Sequence, residues 1–229
     1  MRLHFKETKN ADYQNYEFPY KVYATREDSD SVESMYEQGF LQTRIEKEYY
    51  YLARGVRIKL EDFELNSENR RILRKTEYME MAIASLRDFE YDHTIGKFAK
   101  DYYDSRFGPK TLSPQKMKWI FTSGAFTDVL IFRDKSNGEI IGYCPVLMTN
   151  EIMHYAYPFF QLSYMEKNLG IGMMTAAIQY AQEKGLKYVY LGTCYSEQAL
   201  YKTQFDGVQW FDGETWSDDL EQLKQLCRN

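Results

Sequence analysis

The segment Glu166–Thr193, EKNLGIGMMTAAIQYAQEKGLKYVYLGT, constrains the fold more than any other part of the chain. Its apolar residues, among them Ile171, Met174 and Ile178, recur at the spacing of a helix, and Gly185 supplies the helix end. The letters LKYVYLGT that follow are short and β-branched, as in a buried strand. Because EIMHYAYPFF before the segment also has strand character, the order predicts one βαβ unit with a glycine turn ahead of its helix.

An antiparallel sheet is predicted immediately before this unit. FTDVLIFRD and EIIGYCPVLM flank KSNG, in which the Asn137–Gly138 pair is a strong signal for a hairpin. EIMHYAYPFF then follows as a third antiparallel strand. We therefore predict an α/β fold of the α+β kind, with a mixed, mostly antiparallel sheet, a βαβ unit and flanking helices.

Three further helices are indicated by their end signals. In LSPQKMKWIFTSG, Ser113 is a capping residue, Pro114 suits the first helical position and Gly124 ends the helix. NSENRRILRKTEYMEMAI begins with the capping residue Asn66 and then has helical character. WSDDLEQLKQLCRN predicts a closing helix capped by Ser217.

The first part of the chain is less regular. We predict that residues 1–65 form an irregular N-terminal segment packed on the core, with a small helix around Ser31–Gly39 and a strand over Tyr49–Leu60. Residues 66–229 then form the main domain. The 229 residues suit one large domain or two small ones, so a single continuous domain is the alternative.

Composition limits the surroundings and the ligands. The net charge of −5 gives no global positive field, so RNA binding would need a local basic patch. Three cysteines without paired spacing, Cys144, Cys194 and Cys227, predict free thiols in a reducing compartment. No signal core or bilayer-length apolar run is present, and the three histidines lack metal-ligand spacing. We expect a cytoplasmic protein with no membrane partner and no metal.

The glycine turn is the best candidate for binding an anion. Glycines let a ligand approach the backbone, and free N–H groups at a helix start attract negative charge. A tight turn with close helix packing explains the same letters equally well. The dinucleotide fingerprint and the phosphate loop ending in Gly-Lys-Ser/Thr are both absent. The candidate donor-binding residues are Lys167, Asn168, Leu169, Gly170, Ile171 and Gly172.

This turn carries a resemblance. The stretch Phe126–Leu191 resembles the GNAT acyltransferase superfamily, whose Gln/Arg-x-x-Gly-x-Gly/Ala turn is matched by KNLGIG with Lys167 in the first position. The resemblance implies a GNAT-like fold. It also implies that the turn could bind the pyrophosphate of acetyl-CoA.

A closer resemblance covers most of the chain. YEQGFLQTR, ARGVRIKLEDFELNSENRRILRK, NLGIGMMTAAIQYAQEKGLKYVYLG and ALYKTQF follow one another as in the arginyl- and leucyl-tRNA–protein transferases. That likeness implies transfer of an amino acid from aminoacyl-tRNA to a protein N-terminal amine, a step of the N-end rule, with no permanently bound cofactor. The matching positions are Arg57, Phe63, Ser67, Arg70, Arg71, Arg74, Leu169, Gly170, Tyr201 and Lys202.

One feature of that family is not matched. Its members carry a cysteine-rich N-terminal segment tied to metal or cluster binding, whereas the first cysteine of this sequence is Cys144. We therefore do not expect that site here. The transferred amino acid and the acceptor stay open.

Acyl transfer of this kind needs no protein nucleophile. An amine attacks an activated ester or thioester, so the enzyme must position both partners, deprotonate the amine and stabilise an oxyanion. Asp128 or Glu151 could take the proton, although an ordinary solvated acid is the simpler interpretation of each. Tyr195 or Tyr201 could protonate the leaving group, with plain packing as the alternative. A backbone amide near residues 158–162 could serve the oxyanion.

The basic segment ENRRILRK is the best RNA candidate. Arg70, Arg71, Arg74 and Lys75 lie on one predicted helix at i, i+4 spacing and could contact backbone phosphates. A solvated helix face balanced by nearby glutamates is the alternative. Lys202 could pair with a terminal phosphate, or it could be a surface lysine.

Three functions fit the sequence. The first is an aminoacyl-tRNA–protein transferase-like enzyme, with aminoacyl-tRNA as donor and a protein or peptide N-terminus as acceptor. The second is an N-acetyltransferase that uses acetyl-CoA. The third is a non-catalytic module that binds protein N-termini. The oligomeric state is not indicated.

Overall fold

The computed structural model describes residues 1–7, 20–44 and 46–228. The strands are β1 (Arg2–Glu7), β2 (Tyr20–Thr25), β3 (Phe40–Gln42), β4 (Tyr49–Leu52), β5 (Gly55–Lys59), β6 (Met79–Ser85), β7 (Asp128–Asp134), β8 (Ile140–Met148), β9 (Ile152–Tyr155), β10 (Phe159–Phe160), β11 (Tyr188–Thr193), β12 (Val208–Phe211) and β13 (Trp216–Ser217). The α-helices are α1 (Val32–Glu37), α2 (Ser67–Lys75), α3 (His93–Phe107), α4 (Pro114–Thr122), α5 (Leu169–Glu183) and α6 (Leu220–Arg228), and 3₁₀ helices cover Leu60–Asp62, Leu162–Lys167 and Glu197–Thr203.

The strands form two sheets. A small sheet has the order β1-β2-β4-β3, and a nine-stranded sheet has the order β13-β12-β5-β11-β9-β8-β7-β6, with β10 paired to β8. Among the described strands, β9 and β11 are the parallel pair and the other pairs are antiparallel. A mostly antiparallel sheet with one parallel pair around α5 confirms the predicted fold class.

The antiparallel meander and the helix that follows it form as the sequence predicts. Gly138, with φ of +71°, closes the β7–β8 hairpin, and its N–H donates to the carbonyl of Asp134 at 2.7 Å. Helix α5 lies on one face of the sheet, where Met173 packs against Gly142 of β8. Ser113 caps α4, with Pro114 in its first turn.

Three local predictions are wrong; strand pairing explains two of them and a local hydrogen bond explains the third. The helix that begins after Asn66 ends at Lys75, because β6 pairs with β7 along its whole length. The predicted strand Tyr49–Leu60 is split, since β4 joins the small sheet while β5 lies between β11 and β12 of the large one. The side chain of Asp219, rather than Ser217, accepts the Gln222 N–H at the start of α6.

Two further observations bear on organisation. Because β5 lies inside the nine-stranded sheet, residues 1–65 and 66–229 share that sheet, which favours one continuous domain. Within the three described ranges, no helix has both the length and the apolar character to cross a membrane.

Candidate active site

A β-bulge interrupts the strand that precedes α5. Tyr155 of β9 pairs with Val146 of β8, and Phe159 of β10 pairs with Tyr143 of β8. Between these two pairs the chain advances four residues from Tyr155 to Phe159 but only three along β8, from Val146 back to Tyr143. The β9–β10 side therefore has one extra residue. Tyr157 sits in this bulge with φ of +50°, a conformation that is uncommon for a residue other than glycine.

The bulge coincides with the point where two strands part. The parallel pairing of β9 with β11 ends at His154 and Tyr190. Beyond it β11 continues to Thr193, which pairs with Gly55 on its other side. We call the opening between the bulge and the end of β11 the splayed site. It lies at the carboxyl ends of two parallel strands, where ligands commonly bind in α/β sheets.

Helix α3 lies beside β10 at this opening. The Tyr103 hydroxyl donates to the Pro158 carbonyl at 3.3 Å, and the Tyr102 and Phe160 rings lie 4.8 Å apart. Of the backbone groups at residues 158–162, two are not free to serve an oxyanion, since Pro158 has no N–H and the Gln161 N–H donates to the Ile141 carbonyl of β8.

Lys202 enters the splayed site from the 3₁₀ helix that follows β11. Its Nζ donates to the Thr193 carbonyl at 2.7 Å and lies 3.8 Å from the position a Cβ would take on Gly192. Burial lowers the pKa of Lys202 to about 8. The alternative of an ordinary surface lysine does not fit its ammonium group, which is desolvated, and pairing with a terminal phosphate stays a prediction.

Two tyrosines lie near this opening in the chain: Tyr155 ends β9 before the bulge, and Tyr201 precedes Lys202. The Tyr155 side chain is 2% exposed, and its hydroxyl is without a hydrogen-bond partner among the described residues. Burial raises its pKa well above the ordinary value, with smaller contributions from Cys144 and Tyr201. Burial of the Tyr201 hydroxyl likewise raises its pKa to about 12, although its ring is half-exposed. Both hydroxyls are neutral at pH 7 and can donate a proton in a hydrogen bond.

A buried histidine, His154, lies where the pairing of β9 with β11 ends. His154 Nδ1 lies 2.8 Å from the Tyr36 hydroxyl, and the Gln42 N–H donates to that hydroxyl at 3.4 Å. Burial, and then the charge of Lys202, lowers the pKa of His154 to about 3. His154 is therefore a neutral, packed side chain, as its place in a strand pattern suggested.

The structure places the predicted glycine turn next to packed side chains. A Cβ added at Gly170 would lie 2.8 Å from the Phe160 ring, and one at Gly172 would lie 2.6 Å from Thr76 Cγ2. Lys167 Nζ lies 4.3 Å from the Tyr164 ring centroid. Close packing therefore explains both glycines, while Asn168, with φ of +60°, begins α5 without a side-chain cap hydrogen bond.

The predicted RNA-binding arginines lie along α2, which runs antiparallel to α5. Arg71 forms an ion pair with Glu68, and Arg70 donates to the Leu65 carbonyl of its own segment. Arg74 and Lys75, near the glycine turn, are exposed. Half of this basic group is thus engaged locally.

Two residues matched to the family's basic segment lie inside the protein. Arg57 is 4% exposed, and its guanidinium lies 4.0 Å from the Tyr188 ring centroid and 4.2 Å from that of Trp216. Its Nη1 donates to Glu37 at 2.5 Å. Phe63 is 2% exposed. Both residues stabilise the core in this structure.

The remaining sequence candidates lie at different places. Glu151 lies at the other end of β9 and pairs with Lys187 at 2.9 Å, so the structure does not bring it into the splayed site. Asp128 of β7 pairs with Val146 of β8, which pairs in turn with Tyr155 of β9. Asp128 therefore lies about 10 Å, two strand spacings, from Tyr155. It also lines an open cavity of about 710 Å³. The half-exposed Tyr195 accepts the Arg54 N–H at 3.1 Å.

No metal-binding cluster is present within the described ranges, where groups of three or more His, Cys, Asp or Glu side chains do not converge. The three cysteines are free and buried, as predicted, and the Cys194 and Cys227 sulfurs lie 3.7 Å apart.

Sequence reasoning missed Tyr155, Tyr157 and the burial of Lys202. One signal was available: the proline of AYPFF interrupts a strand pattern, and proline within a strand often marks a bulge. The positions of the other groups depend on contacts between distant segments.

The fold and the site together define a class. An antiparallel meander, a bulged strand that splays from a parallel neighbour, and a glycine turn opening the connecting helix are the arrangement of a GNAT-like acyltransferase fold. Residues 12–212 match the family model described as "Arginine-tRNA-protein transferase, C terminus". The chain belongs to this family.

Curated relatives of this chain are named aspartate/glutamate leucyltransferases. The protein of Saccharophagus degradans is 26% identical over 167 residues, which cover 70% of this chain and 69% of the relative. That of a Jannaschia species is 25% identical, with 72% and 59% covered, and that of a Ruegeria species is 23% identical, with 71% and 61% covered. The chain thus spans between 59% and 69% of their lengths.

Solved structures are more distant. An L-PGS structure from Bacillus licheniformis has a TM-score of 0.46 and 10% identity, with 92% of this chain and 74% of that one covered. The structure of FemX has a TM-score of 0.45 and 10% identity, with 72% and 60% covered. At TM-scores below 0.5 neither similarity supports a conclusion about this chain.

Proposed function

We propose that this protein transfers an amino acid from an aminoacyl-tRNA to the N-terminal amine of a protein or peptide. The observation that carries the proposal is the position of Lys202, the lysine of the family's Tyr-Lys pair, whose Nζ reaches the splayed site. Its pKa of about 8 is close to that of a free α-amine. A base matched in this way to its substrate can take the proton that the attacking amine must lose.

The reaction then needs three events at the opening. The acceptor nitrogen forms a bond to the ester carbonyl carbon while Lys202 accepts its proton. The bond from that carbon to the ribose oxygen breaks, and the tRNA leaves with its 3′ or 2′ hydroxyl restored by the same proton. The hydroxyls of Tyr155 and Tyr201 are neutral donors near the opening and suit the carbonyl and leaving oxygens.

The names of the relatives suggest the substrates. Leucine is the favoured amino acid, and a peptide beginning with aspartate or glutamate is the favoured acceptor, which would place the protein in the N-end rule of the cytoplasm. The family name makes arginine the competing donor. No resident cofactor is needed for this chemistry.

The anion sites deduced from the sequence stay part of the proposal. The uncapped start of α5, from Lys167 to Gly172, together with Arg74 and Lys75 of α2, is a surface for donor phosphates. Arg70 and Arg71 are weaker candidates because their guanidinium groups are engaged within α2 and its approach.

A product assay tests the proposal. The protein is mixed with Leu-tRNA, Arg-tRNA or acetyl-CoA and with peptides that begin with aspartate, glutamate or lysine, and the products are weighed by mass spectrometry. We expect the mass of one leucine on the acidic peptides. Acetylated peptide would make the protein an N-acetyltransferase, and peptide binding without any product would favour a non-catalytic module.

A further inference from the structure

One face of the small sheet combines stacked tyrosines with polar groups. The rings of Tyr23 and Tyr49 are stacked, with centroids 5.2 Å apart and planes inclined by 7°. His4 Nε2 lies 2.8 Å from Thr25 Oγ1 beside them. Register places all four side chains on the same face, since His4 pairs with Tyr23 and Thr25 with Tyr49.

The same face carries unbalanced positive charge. Lys6 Nζ lies 4.7 Å from the Tyr23 ring centroid and 5.6 Å from that of Tyr49. Lys6 pairs directly across β1 and β2 with Lys21. Two like charges opposite one another in a sheet are destabilising, and neither lysine has an ion-pair partner within the described ranges. An anion bound between them would relieve that repulsion.

No acidic side chain shares this face in β1, β2 or β4. Antiparallel partners place their side chains on the same side of a sheet, so the members of the face follow from the pairing. They are Arg2, His4, Lys6, Lys21, Tyr23, Thr25, Tyr49 and Tyr51.

The face continues to the splayed site. Tyr51 pairs with Tyr23 on one side and with Leu41 of β3 on the other, and Arg44 follows the end of β3 by two residues. Arg44 Nε donates to the Tyr157 hydroxyl at 3.3 Å, and its guanidinium lies 5.3 Å from that ring's centroid. Tyr157 is the bulge residue at the edge of the opening. We call the series Lys6, Lys21, Tyr23, Tyr49, Tyr51, Arg44 and Tyr157 the aromatic track.

We propose that the aromatic track binds the single-stranded 3′ end of the donor tRNA and leads its aminoacyl ester into the splayed site. The inference rests on the proposed function, because it names where that donor lies. Flat rings accept any base by stacking, and cations beside them neutralise the phosphates between successive bases. β1 lies about 10 Å, two strand spacings, from β4, so the track can hold more than one nucleotide before the bulge.

Single-stranded nucleic acid suits this surface better than a protein does. The paired lysines Lys6 and Lys21 lie at one end of this face, and Lys6 Nζ lies beside the partly exposed rings of Tyr23 and Tyr49. Cations next to aromatic rings are the combination that single-stranded nucleic acid binds. The net charge of the chain is −5, so this local positive face stands out against its surroundings.

A binding experiment with the whole chain tests the track. The probe is a fluorescent RNA minihelix with a four-nucleotide 3′ overhang, compared with the same hairpin blunt-ended. Lys6→Glu with Lys21→Glu reverses two charges on the track. Arg74→Glu with Lys75→Glu makes the same change on the donor-phosphate surface of α2 and tests the competing site. Lys116→Glu with Lys118→Glu, two exposed lysines of α4, is the matched control.

We expect the track variant to weaken binding of the overhang probe by about tenfold or more. The slope of log K against log salt should fall by about 1.4, for two contacts to single-stranded phosphates. Tyr23→Leu should weaken the overhang probe by about tenfold and leave the blunt probe unchanged, while Tyr23→Phe should bind as the wild type does. Circular dichroism and melting temperature verify that each variant is folded.

Two outcomes overturn the inference. If the track variants bind and transfer as the wild type does while the α2 variant loses affinity, the RNA lies on α2, and the proposed function stands without the track. If the wild type binds neither probe and transfers nothing from charged tRNA, the proposed function fails and the track fails with it.

Discussion

Two basic surfaces of this protein contrast in how their charge is arranged. On α2, four cations fall within six consecutive residues, Arg70 to Lys75, and the sequence displays them at once. On the small sheet, Lys6 and Lys21 lie on different strands and are brought together by the pairing of β1 with β2. The first surface is visible without a structure, and the second is not.

The two surfaces also differ in how much of their charge is already paired. Arg71 on α2 is neutralised by Glu68 one turn earlier, because residues three apart share a helix face. Within β1, β2 and β4 the sheet face carries no acid, and it adds stacked rings that α2 lacks. We therefore propose the sheet face, rather than the denser run of charge on α2, as the main RNA contact. Arg44 links that face to Tyr157 at the edge of the splayed site.

The largest effect is expected at Lys202, the proposed general base in the splayed site. Lys202→Met should lower kcat/KM for aminoacyl transfer by about 100-fold or more, because a general base contributes at least that much. Single-turnover transfer from charged tRNA measures it, with Arg74→Met as the comparison on α2 and Lys118→Met on α4 as the control. Equal losses in Lys202→Met and Arg74→Met would erase the contrast between the surfaces.

The same variant should be more stable than the wild type. Burial lowers the folded pKa of Lys202 to about 8 from the 10.5 of an exposed lysine. Below pH 8 the folded protein keeps a poorly solvated charge, and its stability rises as pH increases from about 8 to 10.5. We expect Lys202→Met to raise the free energy of unfolding at pH 7 by about 1–2 kcal/mol after the lost hydrogen bond is allowed for. Urea unfolding at pH 7 and pH 9.5 should show the gain shrinking at the higher pH.

The next effect tests the glycine turn at the start of α5. Gly172→Ala should destabilise the fold by about 2 kcal/mol, because the new methyl group meets Thr76 at 2.6 Å and overpacking outweighs the better helix propensity of alanine. Chemical denaturation measures the change. Gly138→Ala cannot serve as the control, because the positive φ of Gly138 would strain an alanine there. Ala176→Gly, at a half-buried position of α5, measures the effect of helix propensity alone. A stable, inactive Gly172→Ala protein would instead indicate a ligand on the turn.

A smaller effect is expected from the buried hydroxyl. Tyr155→Phe removes a hydroxyl that has no partner among the described residues. We expect kcat to fall about tenfold with no loss of stability, since one donor to the reacting oxygens is lost while an unsatisfied buried group disappears. Unchanged kcat would remove Tyr155 from the site.

The smallest effect concerns the two acids proposed from the sequence. Glu151→Gln should leave transfer unchanged and reduce stability by less than about 0.5 kcal/mol, because its exposed ion pair with Lys187 contributes little. Asp128→Asn should change transfer no more than twofold, as a rough expectation for a group two strands from the opening. A large loss at either position would move the chemistry away from the splayed site.

Much of the fold could be predicted because its signals are local. Ser113 and Pro114 mark the start of α4, and the Asn137–Gly138 pair marks a hairpin, each within a few residues. The strand β6 could not be predicted in this way, since EYMEMAI suits a helix and only its pairing with β7 makes it a strand. The class of chemistry followed from a resemblance. For the candidate site, the sequence indicated Tyr201 and Lys202. It did not predict the burial of the Lys202 ammonium group or its hydrogen bond to the Thr193 carbonyl.

The sequence by itself determined the βαβ unit, the meander before it and the family, because periodicity, turn residues and motif order are properties of neighbouring letters. Tertiary structure decided where the chemistry can occur. The bulge at Tyr157, the parting of β9 from β11 and the burial of the Lys202 ammonium arise from contacts between segments tens of residues apart. A pKa depends on the solvent and charges around a group, and a docking face depends on which strands pair, so neither can be read from one segment alone.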